Sequence, residues 1–295
     1  MNTRTRWCLI GAWLLAAAAP AFALDKEAVQ RTFTEARAAA LHGPADVALL
    51  DQAVLHVPAG RYYVPEPHAT RVLNAMGNPG HDERLQGVVF PENDEDWLAI
   101  VRYEPSGYIK DGEAKEWNAD DLLTSYREGT EAANAEREKM GVPPLEIVGW
   151  AEKPAYDGRA HRLVWAMSSR HKGAAAGEAQ GVNYNTYALG REGYFSLNLV
   201  TELNELPQFK GVAQNLLGAL DYKPGKAYGD FTASTDRVAE YGLAALVVGV
   251  GAKKLGLLAL AGAFIAKFAK LGILAAVAFG GGLMKLLGRK KKPSA

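Results

Sequence analysis

The residues best able to do chemistry in this chain of 295 residues are carboxylates in its middle third. Glu104 precedes a predicted turn, Asp111 opens a polar loop, and Asp120 lies at the predicted start of a helix. Two carboxylates about 5–10 Å apart can serve as acid and base, or as acid and nucleophile, in glycoside hydrolysis. A hydrolase that uses such carboxylates is therefore one hypothesis, although no motif links the three residues.

Metal and nucleophile motifs give no stronger signal. The six histidines form no i, i+4 pair and no H-E-x-x-H sequence, which is the arrangement that holds zinc on a helix. The acidic stretches Glu92–Asp96 and Asp111–Asp121 lack the alternating pattern of a calcium loop, so solvated loops are the favoured interpretation. No glycine-rich phosphate loop follows a strand. We expect no metal and no cofactor, and the catalytic residues of any enzyme are unknown.

Tryptophans and tyrosines lie in or beside the predicted strands. Trp97, Trp117, Trp150 and Trp165 could line a ligand groove or pack in the core. Core and cross-strand packing is the favoured interpretation, because large aromatic side chains dominate the cores of sheets.

The first 23 residues have the pattern of a secretory signal peptide. Arg4 and Arg6 precede an apolar run that Pro20 interrupts, and small residues lie at the −3 and −1 positions before a predicted cleavage after Ala23. The apolar run is shorter than the roughly 20 residues that a membrane helix needs. The only cysteine, Cys8, lies in this peptide, so the mature chain is expected to lack disulfides and thiolate nucleophiles.

The last stretch of the chain is predicted to anchor it to a membrane. The best span is about Phe264 to Leu287, and the basic cluster Arg289–Lys292 follows it. One crossing places this cluster in the cytoplasm, in agreement with the positive-inside rule. Three short crossings, with a bend at Lys253 and Lys254, give the same orientation and stay open as an alternative.

Charge is strongly segregated along a chain whose formal net charge is zero. Residues 24–239 contain 22 basic and 32 acidic side chains, whereas residues 240–295 contain nine basic and one acidic. An acidic exported domain does not suggest nucleic-acid binding, and anionic lipid should repel it.

Periodicity predicts an α+β domain, an antiparallel sheet built of hairpins with packed helices, followed by the transmembrane helix. The predicted hairpins are Leu145–Glu152 with His161–Met167, and Gly181–Leu189 with Tyr194–Val200. A hairpin or two short strands should flank Pro58-Ala59-Gly60. Further strands are predicted over Leu85–Phe90 and Trp97–Tyr103, and helices over Asp25–Leu41, His68–Met76, Ala119–Met140 and Leu203–Leu220.

Ser234 or Thr235 can cap one more helix, predicted to run from Asp236 to about Ala252 and to join the domain rigidly to the anchor. The resulting division is a signal peptide over 1–23, an exported domain over 24–235 and a juxtamembrane helical lead-in over 236–263. The transmembrane helix over 264–287 and a basic cytoplasmic tail over 288–295 complete it.

Several long motifs resemble one bacterial family, the uncharacterised membrane-anchored proteins of domain of unknown function 2167. They are EPSGYIKD, SYREGTEAANAEREKMGVPPL, LEIVGWAEKPAYDGRAHRLVWA and PGKAYGDFTASTDRVAEYGLAALVVG. The resemblance covers nearly the whole chain. It implies an exported domain with a C-terminal membrane helix, and it brings no activity, cofactor or site residue.

We therefore expect a single-pass protein of the bacterial inner membrane with its N-terminal domain in the periplasm. Its function is predicted to be non-enzymatic binding of a protein partner or a small ligand in the envelope, because no catalytic constellation accompanies the aromatic-rich sheet. The hydrolase is one alternative. The other is a membrane scaffold that self-associates through small residues such as Gly272, Ala276 and Gly280.

Overall fold

The computed structural model describes residues 26–249, except for residues 77, 79, 116, 140–142 and 176. The predicted signal peptide and the predicted span over 264–287 lie outside the described residues. No helix of the described part combines the length and the apolar character that crossing a membrane requires.

The described chain is α+β, as predicted. Its helices are α1 (Lys26–Ala38), α2 (His68–Ala75), α3 (Ala119–Lys139), α4 (Leu206–Gly218) and α5 (Leu243–Val248), with short 3-10 helices at Gly112–Lys115 and Tyr228–Asp230. Its strands are β1 (Leu41–His42), β2 (Ala45–Leu49), β3 (Ala53–Val57), β4 (Arg61–Pro65), β5 (Leu85–Pro91), β6 (Leu98–Glu104), β7 (Leu145–Asp157), β8 (Arg162–His171), β9 (Gly181–Leu189), β10 (Tyr194–Glu202) and β11 (Leu220–Tyr222).

Eight strands form one antiparallel sheet in the order β1-β4-β5-β6-β10-β9-β8-β7. Both predicted hairpins are confirmed, because β7 pairs with β8 and β9 pairs with β10. The β7 strand is longer than predicted and its register shifts at three places. Such bulges suit an edge strand, because they hinder further pairing with another chain.

The strands flanking Pro58-Ala59-Gly60 exist, but they do not form a hairpin. The β4 strand belongs to the large sheet, and β3 belongs to a second sheet of order β11-β3-β2. The turn at Gly60, whose φ is +75°, passes the chain from one sheet to the other. The hairpin lies one turn earlier, where Leu50 adopts a φ of 57° between β2 and β3. Its consecutive apolar residues Leu49 and Leu50 conceal the turn.

The two faces of the large sheet are covered differently. The small sheet and α4 cover one face, with Phe195, Leu197 and Phe209 in a shared core. On the opposite face, α1 and α2 bury one core around Val64, Val88 and Ile100. The helices α3 and α5 bury a separate core there, around Leu163 and Trp165. One pair of helices thus covers each half of this face, and each pair encloses its own apolar core.

The α3 helix begins as predicted. The side chain of Asn118 accepts a hydrogen bond from the backbone N–H of Asp120 at 2.8 Å, which satisfies one of the free donors of the first turn. Asp120 and Asp121 occupy that turn, where the helix dipole favours carboxylates.

The prediction of a helix beginning at Asp236 is wrong. Residues 236–242 are not helical, and α5 begins only at Leu243. The carboxylate of Asp236 accepts hydrogen bonds from Nε and Nη2 of Arg191, at 2.7 and 2.8 Å. Val238 forms a parallel β-bridge with Tyr108. These tertiary contacts hold the segment in a non-helical conformation and override its local helix propensity. The α5 helix then packs into the domain, where Leu243 and Val247 are fully buried.

Candidate functional site

Six side chains from three separate segments meet at one end of the large sheet. We call this group the end-site; it comprises Tyr108, Asp111, Tyr156, His161, Tyr228 and Phe231. Tyr108 and Asp111 follow β6. Tyr156 lies at the end of β7 and His161 directly precedes β8, and Tyr228 and Phe231 follow β11. The turns at this end of the sheet therefore position the site, as is common for binding residues on loops.

A hydrogen-bonded chain of three side chains forms its polar half. The Tyr156 hydroxyl donates to Asp111 Oδ2 at 2.8 Å and contacts His161 Nδ1 at 3.1 Å. Asp111 Oδ2 lies 3.7 Å from the same imidazole nitrogen. Because the hydroxyl has a single proton and gives it to Asp111, the arrangement that satisfies both contacts places a proton on His161 Nδ1. In the neutral imidazole, Nε2 is then a hydrogen-bond acceptor.

Four rings form the aromatic half. Phe231 stacks on Tyr108 with ring centroids 3.9 Å apart, Tyr108 lies 4.4 Å from Tyr228, and Tyr228 stacks on His161 at 4.0 Å. Phe231 and His161 end this stack and are half-buried, whereas Tyr228 within it is buried. The hydroxyl of Tyr228 donates to the backbone oxygen of Ile109 at 2.7 Å, so this contact fixes the centre of the stack, while its two end rings stay partly exposed.

His161 is held in an unusual backbone conformation. Its φ is +52°, a left-handed conformation that few residues other than glycine adopt, although Asn, Asp and His are enriched among those that do. Backbone strain of this kind is concentrated at binding and catalytic sites. The carbonyl oxygen of His161 accepts a hydrogen bond from the backbone N–H of Leu189 at 2.9 Å, which secures the turn to β9.

Two tyrosines of the site, Tyr156 and Tyr228, are held neutral. Burial, together with the hydrogen bond to Asp111, raises the pKa of Tyr156 far above its usual value. Burial and the neighbouring Tyr108 hydroxyl do the same for the pKa of Tyr228. Both hydroxyls therefore act as neutral donors at physiological pH, and phenolate chemistry is disfavoured.

The site combines a ring surface with one free acceptor. His161 Nε2 makes no hydrogen bond to any described residue, and 29% of this side chain remains exposed. The exposed parts of the Phe231 and His161 rings can contact a planar group, while Nε2 accepts a hydrogen bond from it. This arrangement is suited to binding a ligand or a partner side chain.

The three carboxylates of the hydrolase hypothesis lie in different surroundings. Asp111 belongs to the end-site. Glu104 lies 3.5 Å from Arg84 Nη1, and Asp120 lies 3.5 Å from Lys153 Nζ with 78% of its side chain exposed. The described contacts thus do not pair any two of them, and they give the hydrolase no specific support.

Two of the four carboxylates in the acidic run before β6 contact basic side chains of the same domain. Glu92 binds Arg37 and His42, and Glu95 lies 3.4 Å from Arg61 Nη2. Among the described residues, no group of three or more His, Asp and Glu side chains could hold a metal ion.

The tryptophans divide between the two interpretations. Trp97 and Trp165 are buried in the core, with 4% and 2% of their surface exposed. Trp117 and Trp150 are half-buried and border the core that contains Tyr108 and Tyr228. Packing accounts for Trp97, and three of the six residues of the end-site are tyrosines that the sequence pattern did not single out. The turn residues Asp157-Gly158, shortly before His161, are the one local sequence feature that indicates a loop at the end-site.

Fold and site together define an α+β domain with a ring-lined surface at one end of its sheet. The chain belongs to the family described as Protein of unknown function (DUF2167), whose model matches residues 42–278.

No curated protein matches the chain. Among solved structures, it is similar to the solution structure of cyanobacterial PsbP (CyanoP) from Synechocystis sp. PCC 6803, with a TM-score of 0.37 and 12% sequence identity. That comparison covers 61% of this chain and 92% of the other. A likeness of this size carries no argument about function.

Proposed function

We propose that this protein is a non-enzymatic binding module of the bacterial envelope, anchored to the inner membrane by its C-terminal segment, and that it binds its ligand or protein partner at the end-site. The observation that carries this proposal is the partly exposed His161 at the end of a ring stack, where Nδ1 contacts the Tyr156 hydroxyl and Nε2 makes no hydrogen bond to any described residue. Three segments distant in sequence converge to build this arrangement.

The balance of features favours binding over catalysis. The hydroxyls of Tyr156 and Tyr228 are neutral donors with fixed partners, and Asp111 accepts the hydrogen bond of Tyr156. A hydrolase of the predicted kind needs two carboxylates that face one bond, whereas Glu104 and Asp120 contact separate basic residues. Stacking surfaces with a few placed polar groups are typical of ligand and partner sites.

Site-specific photo-crosslinking in living cells tests the proposal. A photoreactive phenylalanine analogue replaces Phe231 in the full-length chain, and the same analogue replaces exposed Asp94 in the loop between β5 and β6 as the control. We expect a discrete adduct from position 231, none from position 94, and loss of the adduct in His161→Asn, which tolerates the left-handed backbone. Equal adducts at both positions, or none at position 231, would contradict the proposal.

A further inference from the structure

A strip of buried and half-buried polar side chains lies on the large sheet, on the face that carries the two helical layers. We call it the amide strip; it comprises Asn183 and Asn185 of β9 with Ser196 and Asn198 of β10. In an antiparallel pair, directly opposed residues project from the same face. Asn198 is opposed to Asn185, which is opposed to Trp165 of β8, and Val200 is opposed to Asn183. The strip and Trp165 therefore share this face.

Apolar cores border the strip on both sides. In the strand on one side, Ile100 of β6 is opposed to Asn198 and belongs to the core under α1 and α2. On the other side, Trp165 belongs to the core under α3 and α5. Asn185 is 7% exposed and Ser196 is 4% exposed. A row of amides and a hydroxyl in such surroundings is costly unless its hydrogen bonds are made.

Several of those hydrogen bonds are missing. The Oδ1 atoms of Asn183 and Asn198 and the Nε1 atom of Trp165 are buried without any hydrogen-bond partner. Asn185 differs, because its Nδ2 donates to the backbone oxygen of Asn183 at 3.0 Å. Each buried polar atom left unpaired is destabilising, because it loses its hydrogen bonds to water without replacing them. Two acceptors and one donor on one face of three neighbouring strands thus have no hydrogen-bond partner within the described chain.

The chemistry of the strip is uncharged. The nearest cation by register is Arg102, opposed to Ser196, and its Nε donates to Asp82 at 2.8 Å. Tyr187, also on this face, lies beside Trp165 with ring centroids 4.7 Å apart. Amide acceptors, an indole donor and flanking rings match a ligand that carries hydroxyl and secondary amide groups, since an amide offers one N–H and one C=O.

We propose that the amide strip is a binding site for a small uncharged ligand bearing hydroxyl and amide groups, of the class of N-acetylated amino sugars. Asn183 and Asn198 accept hydrogen bonds from the ligand, and the Trp165 indole N–H donates to its carbonyl oxygen. This site is separate from the end-site and does not depend on the function proposed for it.

Stability supplies the first test. Residues kept polar for binding commonly reduce stability, so Asn183→Leu and Asn198→Leu in the full-length chain in detergent should raise Tm by about 2–4 °C. The matched control is Asn185→Leu, which removes an amide with a made hydrogen bond and should lower Tm. If the two orphan amides instead only bind structural water, both leucine variants lose Tm and the proposal is overturned. Asn198→Ala guards against steric misfit of leucine, and a lower Tm in it as well would overturn the proposal.

Binding supplies the second test. Full-length protein labelled with 15N at the tryptophan indoles is titrated with N,N′-diacetylchitobiose. We expect a saturable shift of the Trp165 indole N–H signal, its loss in Asn198→Leu and its retention in His161→Asn. No shift at Trp165, or an unchanged shift in Asn198→Leu, would overturn the assignment of this ligand class. A failure here leaves the crosslinking test of the end-site unaffected, so the two proposals can fail independently.

Discussion

Gly193 and Gly211 show how differently two glycines of this domain depend on the space around them. A Cβ atom on Gly193 would lie 2.0 Å from the backbone oxygen of Glu104, which no side-chain movement can relieve. Gly211 lies within α4, and a Cβ atom there would meet nothing within 4 Å. One glycine is required for the approach of β10 to the end of β6, and the other only weakens a helix.

The two alanine substitutions should therefore change stability in opposite directions. We expect Gly211→Ala to raise the free energy of unfolding by about 0.5–1 kcal/mol, the usual gain when alanine replaces glycine inside a helix. Gly193→Ala should lower it by about 1–3 kcal/mol, as over-packing does. Urea denaturation of both variants against the unaltered protein measures the difference, and a stable Gly193→Ala would refute the close approach of the backbones.

At the scale of elements, one histidine of the small sheet contacts carboxylates on both neighbouring strands. His56 of β3 lies with Nδ1 2.7 Å from Asp46 of β2 and Nε2 3.3 Å from Asp221 of β11. The hydrogen bond to Asp46 and the charges of both carboxylates raise the pKa of His56 above its usual value. Protonated His56 thus links all three strands.

This link predicts a pH dependence of stability. Because the folded-state pKa is raised, the contribution is fully present below the unfolded-state pKa of about 6.5. It is lost as pH rises through the raised pKa. Tm should fall more in His56→Gln at pH 5.5 than at pH 8.5, and thermal unfolding at both pH values measures this. In an Asp46→Asn, Asp221→Asn background the pH dependence of the difference should vanish; its persistence would assign it to other groups.

A second ion pair between elements holds the segment before α5 in place. Arg191, in the turn between β9 and β10, binds Asp236 through two hydrogen bonds, and Asp236 also accepts from the backbone N–H of Thr232 at 2.7 Å. The Arg191 hydrogen bond is the main cause that lowers the pKa of Asp236. The carboxylate is therefore charged throughout the physiological range.

Asp236→Asn should loosen this segment without unfolding the sheet. We expect faster amide hydrogen exchange over residues 232–241, because asparagine cannot provide the two charged acceptors that Arg191 uses. Exchange in β9 and β10 should stay unchanged and serves as the internal control. Equal protection in both proteins would show that the bridge of Val238 to Tyr108 holds the segment alone.

At the scale of the whole molecule, the proposed anchor predicts a topology that can be measured. One crossing over 264–287 requires Lys254 to lie outside the cytoplasm and Lys292 inside it, since the positive-inside rule places the basic cluster there. Alkaline phosphatase and fluorescent-protein fusions after each lysine report the two locations. A cytoplasmic location after Lys254 would exclude the single crossing in favour of three.

Much of the fold was accessible to sequence reasoning, for physical reasons that differ between elements. The β7–β8 and β9–β10 hairpins are marked by turns and by local pairing of adjacent strands, so short-range signals suffice. The β2–β3 hairpin was missed because Leu49 and Leu50 interrupt the alternation. The end-site was missed for another reason: Asp111, His161 and Tyr228 lie about 50 or more residues apart in sequence, and no local pattern records their contact.

By itself, the sequence determined the α+β class, the confirmed hairpins and the membership in an uncharacterised family. Periodicity, turn residues and shared motifs involve only residues that are close in sequence, so they can be recognised without the tertiary structure. Only the tertiary structure decided that residues 236–242 are not helical. A helix there is favoured by its own residues, but Arg191 and Tyr108 offer partners that only the folded domain brings near. The same holds for the end-site and the amide strip. Both arise from strand register and loop convergence, which bring distant side chains together on one surface.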